Sequence, residues 1–202
     1  MPSRPYELKR RAAAMEERRG RIVAAAREEL ISGRGFTLEA VAKRAAVSRV
    51  TVYAQFGDRE ALLEAVYDDL AASGGLQRIP DAFSREDPLD GIEVLVTIFC
   101  HFYSVHREVL RRLGALSALS DGDRSTHGAR NARRHHVIAV LLGLAGIDDQ
   151  RLSDTLQALT SFAFVDELAG TERTPDNVAG EVVALIALAV DATHQPGSRN
   201  RS

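Results

Sequence analysis

The sequence predicts an all-α chain of about nine helices, with an N-terminal three-helix helix-turn-helix domain and a larger helical domain after it. Three observations carry this. Ala, Leu, Arg and Glu dominate nearly every window, and these are strong helix formers. Extended alternation of Val, Ile, Thr and aromatic residues, the mark of a half-buried strand, is missing. The prolines, at positions 2, 5, 80, 88, 175 and 196, stand where a helix begins or a linker runs. The expected division falls near residue 65. Residues 1–65 form the helix-turn-helix domain, with the motif itself over about 37–56. Residues 66–202 form the second domain, with a disordered tail from about 195.

The first helix covers about Glu16 to Ser32, and Glu7 to Met15 is also compatible with helix. Ile22, Val23, Ala26 and Leu30 make its apolar face, and Gly33-Arg34-Gly35 ends it. Thr37 caps a second helix to about Ala45, in which Leu38, Val41, Ala42 and Ala45 form one buried stripe and Lys43 and Arg44 point elsewhere. Ala46-Val47 turns the chain, and Ser48 caps a third helix from Arg49 to about Phe56, docked by Val52 and Phe56. Asp58 caps a fourth, which ends near Ser73-Gly74-Gly75. A polar linker around Gln77 to Glu86 leads to a helix that starts at Asp87-Pro88 and reaches about His106. Another covers Arg107 to Leu119. Ser120 to Asp123 reads as a loop, and the next helix ends near Leu144. One helix is expected from Asp149 to Ala169, and a last one from Thr174-Pro175 to about Thr193.

The 202 residues include 45% apolar side chains, enough for a real core, and a single cysteine, Cys100. One cysteine excludes a disulfide framework and a multi-cysteine zinc site within one chain. The longest apolar runs, Val137 to Leu142 extended to Ile147 and Val182 to Val190, fall well short of the roughly 20 residues that cross a bilayer. The expectation is a soluble, cytoplasmic chain with no membrane partner. The histidines match no tight zinc or copper spacing, and no nucleophile–base pair stands out. No metal, cofactor or catalytic residue is therefore expected, and the chain reads as something other than an enzyme.

The formal charge of −2 hides a division. Residues 1–60 hold 13 Lys and Arg against 8 Asp and Glu, a net +5, and the remainder carries −7. A basic front suggests that one end meets polyanions. Two short helices joined by a tight turn, with a basic start to the second, describe a helix-turn-helix, whose second helix enters the major groove of DNA. Ser48, Arg49, Val50, Tyr53 and Ala54 lie on its outer face. The candidate DNA contacts are Thr37, Lys43, Ser48, Arg49, Val50, Thr51, Tyr53, Gln55 and Arg59. Arg49 suits guanine and phosphate equally, and sequence does not choose between them.

The run from Arg21 to Leu63 resembles the DNA-binding region of TetR/AcrR-type regulators. Its strongest matches are Gly35-Phe36-Thr37, Val41-Ala42, Ala45-Ala46-Val47-Ser48, Thr51-Val52-Tyr53, Phe56 and Arg59-Glu60-Ala61-Leu62-Leu63. Ala46 and Val50 stand where the family commonly has glycine, Gln55 replaces a frequent His, and Arg59 a frequent Lys. The resemblance implies a homodimeric, ligand-responsive repressor that binds double-stranded DNA at near-palindromic operators. It also implies a dimer interface through the helices over about 149–169 and 175–193, and a small-molecule effector held in the second domain. The last helix is apolar nearly all round, which fits that interface or burial within the monomer. Phe99, Phe102, Tyr103, Phe162 and Phe164 are five of eleven aromatics, with His101 and His136 nearby in sequence. Phe99, Phe102, Tyr103, His136 and Phe162 are the candidate pocket residues for a mostly apolar effector, and ordinary core is the alternative. A helical enzyme or an adaptor without DNA binding is the competing function.

Overall fold

A computed structural model describes the backbone of residues 4–118 and 121–193, and the side chains of residues 9–118 and 128–193. The tail expected from about 195 lies outside these residues. The described chain is helical and contains no strand. Its helices are α1 (Arg4–Ser32), α2 (Leu38–Arg44), α3 (Arg49–Phe56), α4 (Arg59–Ser73), α5 (Pro88–Ser117), α6 (Asp121–Leu144), α7 (Gln150–Leu159), α8 (Phe162–Ala169) and α9 (Ala179–Thr193). Two 3₁₀ segments, Leu76–Ser84 and Pro175–Val178, precede α5 and α9. The chain forms two compact units. Residues 1–70 and 111–127 belong to the first, and 71–110 and 128–202 to the second.

In the first unit Ile22, Ala26 and Leu30 of α1 are buried together with Val41 and Ala42 of α2, Val52 and Phe56 of α3, and Leu62, Leu63, Val66 and Leu70 of α4. The apolar spacing read from the sequence is thus the core of this unit. Charged side chains fasten its surface. Arg27 Nη1 meets Asp69 Oδ2 at 3.0 Å. Arg44 lies off the buried stripe, as expected, and is half-buried against α1. Its Nε donates to Glu29 Oε2 at 2.8 Å and its Nη1 to Glu28 Oε2 at 3.3 Å. The Glu29 carboxylate is buried, and its hydrogen bond holds the Arg44 guanidinium above its ordinary value.

The second unit is built on α5, whose Ile92, Leu95, Val96, Phe99, Phe102 and Tyr103 are buried. Ile138, Leu141, Leu156, Val165, Val178, Val182 and Ile186 come from α6 to α9 and the turn before α9. By length and composition α5 could cross a membrane. Most of its apolar side chains are buried against protein, although Val105 is exposed. The two helices expected to meet at His106 do so within α5, which is kinked there by non-helical backbone (φ −115°, ψ 17°). Of the loop expected at Ser120–Asp123, residues 121–123 belong to α6, and Ser120 lies outside the described residues.

Three further expectations need correction. The polar linker over Gln77–Glu86 is largely the 3₁₀ segment Leu76–Ser84. Leu76, Ile79 and Ala82 are three apart, so in a helix of about three residues per turn they fall on one side. Ala82 is buried there, and a Cβ on Gly91 of α5 would stand 2.4 Å from its carbonyl oxygen. Only a residue without a side chain lets the two segments approach so closely. The single helix expected over 149–169 is broken into α7 and α8. Ser161 has extended backbone and its hydroxyl accepts from the Phe164 N–H at 3.2 Å, which restarts the helix. The break leaves the Thr160 carbonyl without a helical partner, and the Tyr103 hydroxyl donates to it at 2.9 Å. Finally, Pro175 opens a 3₁₀ turn rather than α9 itself. Asn177 Oδ1 accepts from both the N–H and the hydroxyl of Thr174 there.

Candidate nucleic-acid interface

The sequence around α2 and α3 builds a turn by a definable rule. The Val47 N–H donates to the Ala42 carbonyl at 3.0 Å and the Ala46 N–H to the Lys43 carbonyl at 3.3 Å. This pair of bonds closes a helix when the residue after the C-cap takes the left-handed conformation. That residue is Ala46, at φ +54°, the only non-glycine with positive φ among the described residues. The same bonding closes α6, where the Ile147 N–H reaches the Leu142 carbonyl, but there the left-handed residue is Gly146. Ala46→Gly is therefore expected to stabilise the first unit by up to about 1 kcal/mol, the left-handed cost for a residue with a Cβ. A lowered thermal midpoint would contradict the strain reading.

Past the turn, Ser48 Oγ accepts from the Thr51 N–H at 3.1 Å and lies 2.8 Å from Thr51 Oγ1. Thr37 Oγ1 likewise accepts from the Ala40 N–H at 3.1 Å at the start of α2. Each capping hydroxyl fixes a helix start, and the Thr37 O–H stays available to donate outward. Inside α3, Val52 and Phe56 anchor the helix. Its outer side leaves Arg49 and Ala54 exposed, with Val50 76% and Tyr53 58% exposed. Two large side chains so open on a helix so firmly docked form a surface made for contact. Lys43 and Ser48 are also exposed, whereas Thr51 and Gln55 are half-buried.

Arg59 plays a part that the sequence did not reveal. Its Nε donates to the Phe36 carbonyl at 3.3 Å, and its guanidinium lies 5.2 Å from the Phe36 ring centroid. It thus ties the start of α4 to the connection before α2. Arg19 does the same for α3, with its guanidinium 4.5 Å from the Phe56 ring centroid. The Gly57 N–H donates to the Tyr53 carbonyl at 2.7 Å and ends α3, and Asp58 Oδ1 accepts from the Ala61 N–H at the start of α4.

Residues 22–66 match the family described as bacterial regulatory proteins, tetR family. Over those residues the chain is similar to that family. Similar folds extend well beyond those residues. NalD of Pseudomonas aeruginosa, described as the secondary repressor of the MexAB-OprM multidrug efflux pump, is 21% identical with a TM-score of 0.66. The likeness covers 87% of this chain and 96% of that one. A TetR/AcrR-family transcriptional regulator from Thermobifida fusca YX-ER1 is also 21% identical, with a TM-score of 0.56, over 91% of this chain and 100% of that one. No curated protein is similar enough in sequence to count as a relative.

Outside residues 22–66, the second unit gathers most of the aromatic residues singled out in the sequence. Tyr103 lies 6.3 Å from Phe99, 5.7 Å from Phe102 and 5.4 Å from Phe162, centroid to centroid. Burial pushes the Tyr103 hydroxyl up to about 12, against the pull of nearby Arg134. Phe162 and Phe164 are half-buried, and His136 and His101 are exposed. His101 Nδ1 faces Asp176 Oδ2 at 3.5 Å. Arg134 is half-buried and its Nη1 donates to Thr160 Oγ1 at 3.3 Å. It is the cation that sequence reasoning missed beside the aromatic cluster. A separate surface cleft of about 430 Å³ is lined by Arg85, Asp90, Glu93, Val94, Thr97 and Val183, none of them candidate pocket residues. Cys100 is buried, and burial followed by the nearby Asp176 charge raises its thiol to about 12, so it stays neutral and unreactive.

Proposed function

We propose that this chain is a cytoplasmic, homodimeric transcriptional repressor that binds near-palindromic DNA and is released by a small, mostly apolar effector. The observation that carries the reading is the exposed outer side of α3 in a TetR-family domain, with Arg49, Val50 and Tyr53 open while Val52 and Phe56 hold the helix down. Arg49 reads guanine or holds phosphate, Val50 offers methyl groups to thymine, and Tyr53, Thr37, Ser48, Thr51, Lys43, Gln55 and Arg59 position the backbone. Repression is favoured by the description of NalD as a repressor.

Dimerisation is supported by α9. Val182, Ile186 and Val190 face its own unit, while Leu185 and Leu188 are 37% and 66% exposed. A second copy of α9, with α7 and α8, would cover them. A two-fold dimer sets its recognition helices one DNA turn (~34 Å) or a multiple apart, so the bound site repeats as an inverted half-site. Phe99, Phe102, Tyr103 and Phe162 are the side chains around which an effector would bind, opposing DNA through a coupling of roughly 1–3 kcal/mol.

Selection from a random duplex pool by the purified chain is expected to enrich one near-palindromic sequence. Leu185→Glu with Leu188→Glu is expected to yield monomers in sedimentation and to lose that site. Recovery of no enriched sequence would count against the regulator reading, and a variant that remains dimeric would count against the interface.

A further inference from the structure

The positive charge of the N-terminal region does not lie where the family domain lies. Residues 22–66 hold six Lys and Arg and six Asp and Glu, so that stretch is neutral. Residues 1–21 hold seven Lys and Arg against three Glu, a net +4. Within 22–66 three of the six cations are engaged, while Arg34, Lys43 and Arg49 are exposed. Arg44 is held by Glu28 and Glu29, Arg27 by Asp69, and Arg59 by the Phe36 carbonyl and ring. Affinity for DNA rests heavily on cations that replace counterions along the phosphates. A neutral reading domain needs that contribution from elsewhere in the chain.

Helix α1 offers it. Arg19 packs on Phe56 of α3. Ahead of Arg19, α1 continues back to Arg4, about 22 Å of helix at 1.5 Å per residue. Residues 9–18 are exposed throughout, and so is Arg21. At 100° per residue, Arg11 and Arg18 lie roughly 20° apart on the helix, as do Arg10 and Arg21, and the four share a sector of about 100°. Glu16 lies opposite that sector, Glu17 at its edge, and Glu7 within it. Met15 is the one large apolar side chain in residues 9–18, too little apolar face for a helix that lies on a membrane.

We propose that this basic sector of α1 is a second DNA-contacting surface, in which Arg10, Arg11, Arg18 and Arg21 bind backbone phosphates and supply most of the electrostatic part of DNA affinity. The proposal rests on the regulator reading, and its test separates the two. The full-length chain, Arg10→Ala/Arg11→Ala/Arg18→Ala, and the matching triple Lys variant are titrated over a range of KCl. The probes are a 30-bp mixed-sequence duplex and the duplex enriched by selection. The Ala variant is expected to reduce the slope of log affinity against log salt by roughly 0.9 for each arginine–phosphate pair removed, about 2.7 per subunit. Both duplexes should weaken by the same factor, the Lys variant should keep the slope, and circular dichroism should show helix content retained, since Ala favours helix. An unchanged slope in the Ala variant, or a loss confined to the selected duplex, overturns the proposal while leaving the regulator reading intact. Wild-type chain that binds neither duplex overturns both.

Discussion

Arg107→Ala is expected to destabilise the second unit by about 3 kcal/mol, the cost of removing one member of a largely buried ion pair. Its Nε donates to Asp166 Oδ1 at 2.5 Å, and the two side chains are only 18% and 17% exposed. The same guanidinium donates to the carbonyls of Asp166 at 3.1 Å, Gly170 at 2.5 Å and Arg173 at 2.7 Å. The Asp166 carbonyl also accepts from the Gly170 N–H, whereas the Gly170 and Arg173 carbonyls lie beyond the C-terminus of α8, where the helix itself cannot satisfy them. Truncation strands them and leaves the Asp166 carboxylate without its cation. In a chain of this size the main thermal transition should fall by roughly 6–12 °C. Arg107→Lys keeps the charge but not the planar fork, so it should fall between wild type and Ala. A midpoint for Arg107→Ala within about 2 °C of wild type would contradict the account.

Arg49→Ala combined with Tyr53→Ala is expected to weaken binding to a selected duplex by roughly 100-fold or more, since each side chain contributes about 1–3 kcal/mol and a dimer is deprived of each twice. Both side chains are exposed and hold no part of the core. Thermal stability should therefore stay within about 0.5 kcal/mol of wild type, as for surface substitutions in general. Val52→Ala provides the contrast. Val52 is fully buried, so its truncation should reduce DNA binding by loosening the domain and should lower the midpoint as well. Full binding by the Arg49/Tyr53 variant in a gel shift would remove α3 as the reading helix.

The first unit was the more legible of the two because its helices carry their instructions locally. Thr37, Ser48 and Asp58 each cap the helix that follows within three residues, and Val41, Val52 and Phe56 show the helical period directly. The errors arose where a local signal was weak or split. Thr160-Ser161 sits inside a run of apolar residues at helical spacing, and that spacing concealed a cap. Leu76, Ile79 and Ala82 keep a period of three, which does not stand out among polar neighbours. Among the candidate pocket residues, shared position on α5 explains the grouping of Phe99, Phe102 and Tyr103. Phe162 reaches Tyr103 only through the fold, and His136, judged from its place in the chain, lies exposed on α6.

By itself the sequence determined that the chain is helical, where α3 begins and ends, and which of its residues point inward. Caps, glycines and apolar periodicity act within one or two turns, and a linear reading contains all of that information. Tertiary structure decided which charges are available. Glu29 and Arg44 look like solvated neighbours of other charged residues, yet one is buried and the other bridges to it from a second helix. Arg107 and Arg134 look like surface cations, yet they hold a helix end and a threonine hydroxyl. An ion pair's partner can lie anywhere in the chain, and its strength depends on how much water the fold removes. That dependence leaves the basic sector of α1 exposed together with Arg34, Lys43 and Arg49, while Arg27, Arg44 and Arg59 are engaged.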